Sequence, residues 1–328
     1  MRRRQRRHWN WTAGFGLLIA ITSCGTGTGV PHRPSSTPSL GPRSTLLWSS
    51  PANIDSNGLS SVSCPTSSFC MAVDDSGNAL SYDGTTWSSP SDIDGSSSLS
   101  SVSCPTSSFC MAVDDSGNAL KYFAKWSPPV NIDSSNGFSS VPCSTSRFCM
   151  AVDDSGNALS YDGTTWSSPS DIDSSNSFSS VSCVGSTFCI AADGAGNVLR
   201  YDGTWSAPVD IEPGNNLSVN SESCPSTTFC IAVDANGYVV SYNGVTEIDS
   251  KPRTGVSQGF LTSASCPSTT FCVAVDSSGN ALSYDETTWS APSDIDSSNS
   301  LGSVSCPSTS FCMAVDSRGA AISTKDQP

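Results

Sequence analysis

Large apolar side chains alternate with small or polar residues over short stretches of this chain. Between Phe69 and Asp74, for example, every second side chain is large and apolar, which predicts a strand. Clusters of Gly, Asp, Asn and Pro separate these stretches, as turns separate strands. No stretch shows the three- to four-residue period of an amphipathic helix. The pattern therefore predicts an all-β protein.

The alternating block recurs seven times, starting about every 40 residues. Residues 59–80 return unchanged as residues 99–120, and five looser copies follow. Every copy contains two cysteines six positions apart. Repetition at this period is typical of an array of small supersecondary units. The repeat therefore determines the fold prediction before any single residue does.

Each copy contains four predicted strands, separated by short turns. In the first copy these strands are 59–64, 69–74, 79–82 and 86–93. A primed hairpin turn at Asp83-Gly84 is predicted between the third and fourth strands. A glycine recurs in the turn between the second and third strands, where the backbone needs a positive φ. Its seven copies are Gly77, Gly117, Gly156, Gly196, Gly237, Gly279 and Gly319.

Four antiparallel strands per copy match the blade of a β-propeller. The seventh copy ends after three strands, whereas Leu46–Asp55, before the first copy, has the pattern of a lone fourth strand. We therefore predict a seven-bladed β-propeller of four-stranded antiparallel blades, closed by an N-terminal strand that completes the last blade. The small residues of each first strand suit a crowded central axis.

The N-terminus has the pattern of an export signal. Five arginines precede an apolar segment, Ala13 to Ile21, that is short for a bilayer span. It ends in Ile21-Thr22-Ser23-Cys24, which resembles the lipobox of bacterial lipoprotein signal peptides. The resemblance implies cleavage before Cys24, lipidation of its sulfur, and a membrane anchor on the extracytoplasmic side. The alternative is an ordinary signal peptide with a stray cysteine.

The predicted domain boundaries follow from this leader. Residues 1–23 are the signal peptide, residues 24–45 the lipidated cysteine and a tether, and residues 46–328 the propeller. The tether is rich in Gly, Pro, Ser and Thr, a composition that cannot bury enough apolar surface to fold.

The repeat region is strongly acidic. From residue 46 onward, 29 acids and 8 Lys or Arg give a net charge of −21. A nucleic-acid partner is excluded, because a binder must neutralise phosphates with Lys and Arg. The charge favours solubility, cations or basic partners.

Fourteen cysteines form the repeated pairs. In an exported chain, constant spacing predicts seven disulfides, each within one hairpin between the first and second strands. The cysteines are Cys64, Cys70, Cys104, Cys110, Cys143, Cys149, Cys183, Cys189, Cys224, Cys230, Cys266, Cys272, Cys306 and Cys312. Zinc is a poor alternative, because both histidines, His8 and His32, precede the repeats.

The segment SYDGTTW at residues 81–87 resembles the Asp-box of bacterial sialidases and related propellers. Glycine directly follows the aspartate, however, and the tryptophan comes one residue early. In that family the box is a structural turn far from the active site, so the resemblance implies fold and not catalysis. Sialidase activity is rejected, because the arginines of the propeller fall at unlike positions of the repeat. These are Arg147, Arg200, Arg253 and Arg318.

No catalytic residues are predicted, and the protein is predicted not to be an enzyme. Ser-His-Asp and Cys-His arrangements are excluded from a propeller without histidine. Paired carboxylates leave a glycan hydrolase as the least favoured alternative, since the acids recur with the repeat as turn residues do. We expect a non-enzymatic binding or scaffold protein for an unknown protein or glycan, with no cofactor other than a candidate calcium ion.

Tryptophans recur in the predicted fourth strands, and tyrosines recur just before them. Propeller lectins bind sugars between blades with repeated aromatic residues, so a multivalent lectin is the main functional alternative. The candidate ligand-binding residues are Trp87, Trp126, Trp166, Trp205 and Trp289. The other interpretation is that these side chains pack between blades. Two copies break the pattern: one has Phe123-Ala124-Lys125 in its turn, and one lacks the tryptophan and has a longer loop, Ser250–Gly259.

Two sets of acids recur in the predicted loops. One set follows the fourth strands: Asp55, Asp94, Asp133, Asp173, Glu212, Asp249 and Asp296. The other ends the second strands: Asp74, Asp114, Asp153, Asp193, Asp234, Asp276 and Asp316. Both loops open on the same face of a propeller, so both sets should ring one face. The candidate calcium ligands are Asp74, Asp94, Asp114, Asp133, Asp153 and Asp173. The alternative is that these aspartates only stabilise turns.

Overall fold

The computed structural model describes residues 46–95, 97–134, 136–174, 176–211, 218–242, 254–297 and 299–324. These residues form seven antiparallel sheets. The first strand of each sheet contacts the first strands of both neighbouring sheets, so the sheets form a ring. The protein is a seven-bladed β-propeller, as predicted. No helix long and apolar enough to cross a membrane occurs in the ranges described.

The strands are short, and each blade uses four positions from the axis to the outer wall. Strand β1 (Ala52–Asn53) comes first in the chain. Blade 1 contains β2 (Leu59–Thr66), β3 (Phe69–Asp74), β4 (Asn78–Tyr82) and β5 (Ser91–Asp92). Blade 2 contains β6 (Leu99–Thr106), β7 (Phe109–Asp114), β8 (Asn118–Tyr122) and β9 (Val130–Asn131). Blade 3 contains β10 (Phe138–Ser140), β11 (Cys143–Thr145), β12 (Phe148–Asp153), β13 (Asn157–Tyr161) and β14 (Ser170–Asp171).

The remaining blades follow the same order. Blade 4 contains β15 (Phe178–Val184), β16 (Phe188–Asp193), β17 (Asn197–Tyr201) and β18 (Val209–Asp210). Blade 5 contains β19 (Val219–Ser226), β20 (Phe229–Asp234), β21 (Tyr238–Tyr242) and β22 (Thr254–Gly255). Blade 6 contains β23 (Leu261–Ser268), β24 (Phe271–Asp276), β25 (Asn280–Tyr284) and β26 (Ser293–Asp294). Blade 7 contains β27 (Leu301–Ser308), β28 (Phe311–Asp316) and β29 (Ala320–Ser323).

The N-terminal strand closes the ring, as the sequence predicts. Strand β1 pairs antiparallel with β29 through Ala52 and Ala321. Trp48 forms a further bridge with Thr324, and the Ser49 N–H donates to the Ser323 carbonyl at 2.7 Å. Blade 7 is therefore built from both ends of the propeller sequence.

The fourth strands are shorter than predicted. In blade 1 the predicted strand 86–93 is reduced to β5, and Trp87 forms an isolated bridge with Tyr82. Pro90, which cannot donate a backbone hydrogen bond, lies directly before β5. A proline precedes the equivalent strand at Pro51, Pro129, Pro169, Pro208 and Pro292.

Apolar side chains pack between blades rather than within one blade. Met71 and Val73 of blade 1, for example, lie in one buried cluster with Leu99 and Val102 of blade 2. The second strand of each blade is almost entirely buried, because it has a sheet neighbour on both sides and a blade on both faces. Each blade therefore depends on its neighbours for its core.

Serine hydroxyls join the first strands of adjacent blades around the axis. The Val102 N–H donates to Ser61 Oγ at 3.2 Å, and the Cys104 N–H donates to Ser63 Oγ at 2.9 Å. Blades 1 and 7 are joined in the same way, with Cys64 donating to a serine 2.9 Å away. These bonds satisfy backbone donors that no sheet neighbour reaches. They explain why the repeat keeps small hydroxyl residues there.

Candidate functional site

All seven predicted disulfides are present. Each joins the two cysteines of one copy across the first hairpin, six residues apart, as in Cys64–Cys70. Most of these side chains are buried, and Cys70 is fully so. Cys24, the predicted lipidation site, lies outside the described residues.

The two sets of recurring acids meet on one face, which we call the turn face. It consists of the turns between second and third strands and the connections between blades. The carboxyl groups interact directly in five described pairs: Asp55 with Asp74, Asp94 with Asp114, Asp133 with Asp153, Asp173 with Asp193, and Asp296 with Asp316. The predicted geometry is therefore confirmed for these pairs. Glu212 lies outside the described residues.

The acid at the end of each second strand holds its turn together. Asp74 Oδ1 accepts the Ser76 N–H at 3.0 Å and the Asn78 N–H at 2.6 Å. Its Oδ2 accepts the side-chain amides of Asn78 and Asn57. Burial alone would raise the pKa of Asp74, but these hydrogen bonds lower it below its usual value. The turn-stabilising role that the sequence suggested is thus observed.

The acids of the inter-blade connections accept fewer hydrogen bonds than the acids that end the second strands. In this set, the buried Oδ2 atoms of four acids receive no hydrogen-bond donor: those of Asp55, Asp94, Asp133 and Asp296. In the set that ends the second strands, the same holds only for Asp316 Oδ2 among the described residues. Burial and the adjacent carboxyl of Asp114 raise the pKa of Asp94 to about 7. The same causes raise the pKa of Asp133 and of Asp296 to about 6. Two buried carboxyls in contact disfavour double ionisation, so each pair retains a proton more strongly than free aspartates do.

Within the described part of the chain, no three His, Cys, Asp or Glu side chains cluster closely enough to hold a metal ion. The candidate calcium ligands lie in the pairs described above instead. Calcium binding stays a prediction for these pairs.

The connection after blade 5 differs from the prediction. The loop predicted over Ser250–Gly259 contains β22, which pairs with β21. Asp249 lies outside the described residues. Ser257 occupies the place of the inter-blade acid after β22, and its hydroxyl donates to Asp276 Oδ2 at 2.6 Å. The predicted boundary was wrong because no tryptophan precedes β22 and Val256 follows it, where isoleucine follows the other fourth strands.

The five candidate tryptophans lie in the loops between third and fourth strands. Each forms a bridge and a tilted ring contact with the tyrosine before it, at centroid distances of 5.3–5.5 Å. Each is half-buried and packs on the second strand of the preceding blade, as Trp126 packs with Phe69 and Met71. The packing interpretation therefore applies to one side of each ring. Whether the other side binds a ligand stays a prediction.

Two grooves, each of about 530 Å³, lie on the outer wall of the propeller beside Trp166 and Trp289, and we call them the wall grooves. We call the groove between blades 2 and 3 the 2/3 groove. Its floor and one side include Met111, Ala119 and Lys121, and the loop containing Trp166 and Ser168 forms the other side. Aromatic and aliphatic surface is thus combined with hydroxyl groups.

The groove between blades 5 and 6, the 5/6 groove, is built from equivalent positions. Ile231, Val239 and Ser241 form one side, and Trp289 and Ala291 belong to the other. The repeat thus produces two similar concavities with different side chains at their margins.

Sequence reasoning missed Glu222. Its position in β19 is occupied by Val or Ala in the other six copies: Val62, Val102, Val141, Val181, Ala264 and Val304. The Glu222 carboxyl is buried, neither oxygen accepts a hydrogen bond, and burial raises its pKa to about 8. It lines a small apolar space with Ile190 and Tyr242. Alignment of the copies with each other would have revealed this substitution.

The seam between blades 4 and 5 also lacks a described tryptophan. In the other clusters, a tryptophan packs with the phenylalanine that begins the second strand of the preceding blade. Here Phe188 is stacked with Tyr242, and the Arg200 guanidinium lies 5.8 Å from the Phe188 ring centroid. Arg200 therefore covers part of a ring that a tryptophan covers elsewhere.

Comparison with known proteins identifies the fold. No protein-family model and no curated protein matches this chain. The structure of YCF48 bound to a D1 peptide superposes with a TM-score of 0.70 at 10% identity, covering 86% of this chain and 100% of that one. YCF48 from Cyanidioschyzon merolae gives 0.64 at 14% identity, covering 85% and 98%. The WD40 propeller domain of Doa1 gives 0.70 at 11% identity, covering 86% and 98%.

The chain is a β-propeller with WD40-like structural neighbours. At these identities the likeness shows the fold alone, and it assigns no ligand. The similarities to lipoprotein signals and to Asp-boxes therefore rest on the residues quoted for them.

Proposed function

We propose that this protein is an exported, lipid-anchored propeller that binds a partner in its wall grooves and catalyses no reaction. The 2/3 groove is the observation that supports binding most directly. Concave sites lined by aromatic and aliphatic side chains, with a few polar groups, are typical ligand sites. Trp166 provides the aromatic surface, and the exposed hydroxyls of Thr164 and Thr165 lie next to it.

An extended protein segment is the occupant that we favour. The outermost strand of blade 2, β9, pairs with β8 over only two residues, and no strand of the described ranges pairs with its other edge. Extended peptides bind such open edges through their backbones, and alternate side chains enter neighbouring pockets. The YCF48 structure with its bound D1 peptide supports peptide binding as a role for this fold.

A non-enzymatic role is supported by what the recurring acids do. Asp74 and its equivalents hold turns, and their partners lie in pairs at the seams between blades. These structural tasks account for the acids that a glycan hydrolase would otherwise use. The proposal therefore assigns the carboxylates to stability and the grooves to function.

A lectin is the alternative that one observation favours. The ring of Trp166, beside Tyr161 and several hydroxyls, resembles the mixture of aromatic and polar groups on which sugars stack. The equivalent surface in the 5/6 groove contains Trp289. Two sites on one body would add avidity for a repeating glycan.

Filling the 2/3 groove should abolish binding. Ser168 is exposed and lines the groove, so Ser168→Trp should occlude it without disturbing the core. Full-length protein in detergent would be screened on peptide and glycan arrays. For the ligands that bind the wild type, we expect Ser168→Trp to lower the affinity by about tenfold or more. Ala291→Trp tests the 5/6 groove, and Ser107→Trp, on an exposed hairpin tip, is the control. Unchanged binding by both groove variants would contradict the proposal.

The anchor is tested at Cys24. Cys24→Ser should release the protein from the membrane fraction or leave an unprocessed precursor, because the serine hydroxyl does not replace the lipidated thiol. Cell fractionation and the intact mass of the wild type provide the measurements. A wild type without acyl mass, retained equally with its variant, would contradict lipidation.

A further inference from the structure

We propose that the 2/3 groove selects an acidic extended peptide, held by Lys121 and Arg147. This inference rests on the proposed function, in which the wall grooves bind ligands. It adds the charge of the ligand and the two residues that recognise it.

Basic residues are rare and unevenly distributed in this propeller. The described ranges contain five, namely Lys121, Lys125, Arg147, Arg200 and Arg318. Three of them belong to blades 2 and 3, although the repeat region as a whole has a net charge of −21. The field next to the 2/3 groove is therefore locally more positive than the repeat predicts.

Lys121 lies on the blade 2 side of the 2/3 groove. It shares a face of β8 with Ala119, and both side chains line the groove. Lys121 is exposed, and no carboxylate in the described ranges lies within ion-pairing distance of it. Its ammonium group is thus free to pair with a ligand carboxylate.

Arg147 flanks the opposite side. It lies in the hairpin between β11 and β12, and its Cα, Cβ and Cγ come within 3.2 Å of the point where a Cβ of residue 163 would be. Gly163 has φ +99 and belongs to the loop whose Thr164 and Thr165 line the groove. The glycine lets Arg147 lie against this loop, so one basic residue lines the groove and a second lies beside the loop that forms its other side.

The 5/6 groove provides an internal comparison. It has Ser241 in place of Lys121 and Thr270 in place of Arg147. Glu286 takes the place of Gly163 and is exposed, at φ 76. Asp162 and Asp285 are equivalent in the two loops, so the two grooves of similar shape differ by these three positions, and the margins of the 2/3 groove are the more positive. This difference predicts different ligands for each.

The surroundings of the 2/3 groove favour a peptide over an acidic sugar. Val130 of β9 is 57% exposed beside the open strand edge, next to an apolar floor that includes Met111. A peptide paired with β9 would direct alternate side chains toward this floor and toward solvent. Carboxylates at the margins would then reach Lys121 and Arg147.

The test uses full-length protein in detergent and two pools of short fluorescein-labelled peptides. Apolar residues alternate with Asp and Glu in one pool and with Lys in the other. We expect the wild type to bind the acidic pool in preference to the basic pool. Lys121→Ser with Arg147→Thr introduces the residues of the 5/6 groove and should weaken binding about tenfold. The reciprocal variant, Ser241→Lys with Thr270→Arg and Glu286→Gly, should add a second acidic-peptide site and double the stoichiometry.

The variants distinguish the two levels of the proposal. If Ser168→Trp abolishes peptide binding and the Lys121/Arg147 variant does not change it, groove binding stands and charge selection is overturned. If the Lys121/Arg147 variant loses binding and Ser168→Trp does not, the acidic ligand binds outside the groove, and the groove assignment is overturned. Preference for the basic pool, or binding only to acidic glycans, would overturn the peptide inference.

Discussion

Reduction of the seven disulfides should remove most of the stability of this propeller. Each disulfide closes a six-residue separation, for which loop-closure entropy gives roughly 2 kcal/mol. Seven such contributions amount to more than about 10 kcal/mol, whereas the whole stability of a typical domain is about 5–15 kcal/mol. Blades that pack only on their neighbours have no separate core to compensate for this loss.

The measurement is urea unfolding of the exported protein with and without reductant, with free thiols counted in each sample. A graded control replaces one pair, Cys64→Ala with Cys70→Ala, and should lower the free energy of unfolding by roughly 2 kcal/mol. The fully reduced protein should then unfold without urea or at a small fraction of the original midpoint. A midpoint that stays unchanged once all fourteen thiols are free would contradict the prediction.

Much of the fold follows from the sequence because the repeat determines it. The unpaired segment before the first copy and the missing strand of the last predict the β1–β29 closure that the structure shows. The cysteine pairs needed only their constant spacing. The meeting of Asp94 with Asp114 followed from the order of strands in a blade. In each case the sequence order alone places the residues together.

The rest depends on contacts between blades, which lie about 40 residues apart in the chain. The donation from Val102 to Ser61, for example, joins residues 41 positions apart. Lys121 and the loop of Trp166 lie on opposite sides of the 2/3 groove, and this placement likewise requires the packing of two blades. Periodicity within one copy contains no information on such contacts. The fourth strand of the fifth copy was predicted in the wrong place for another reason. No tryptophan precedes β22, and Val256 follows it where isoleucine follows the equivalent strands.

The aspartate pairs of the turn face should make the propeller less stable as the pH rises through about 6 to 7. The pKa of Asp94 is raised to about 7 and that of Asp133 to about 6, so the folded state binds these protons more tightly than the unfolded chain does. The stabilising contribution is fully present below the unfolded value of about 4 and is lost above the folded values. Glu222, with a pKa of about 8, extends the loss to higher pH.

The loss of stability that we expect at acidic pH has a separate origin. Asp83 accepts hydrogen bonds from Thr86 and Thr85, which lower its pKa to about 2. A lowered pKa contributes stability above the unfolded value of about 4, and this contribution is lost as the pH falls toward the folded value. The two opposing effects place the expected maximum of stability near pH 4, about the unfolded pKa of these carboxyls.

Melting temperatures at about pH 5 and about pH 8 test the paired aspartates, and we expect a fall on the order of 5 °C or more. Asp94→Asn and Asp133→Asn should flatten this alkaline decline, because an amide reproduces the protonated acid at every pH. Asp83→Asn, on the opposite face, is the matched control. It should change the melting temperature only at acidic pH. Calcium that restores the melting temperature of the wild type at pH 8, and not that of the variants, would indicate that a cation replaces the shared proton. A melting temperature independent of pH from 5 to 8, with or without calcium, would contradict the role of these pairs.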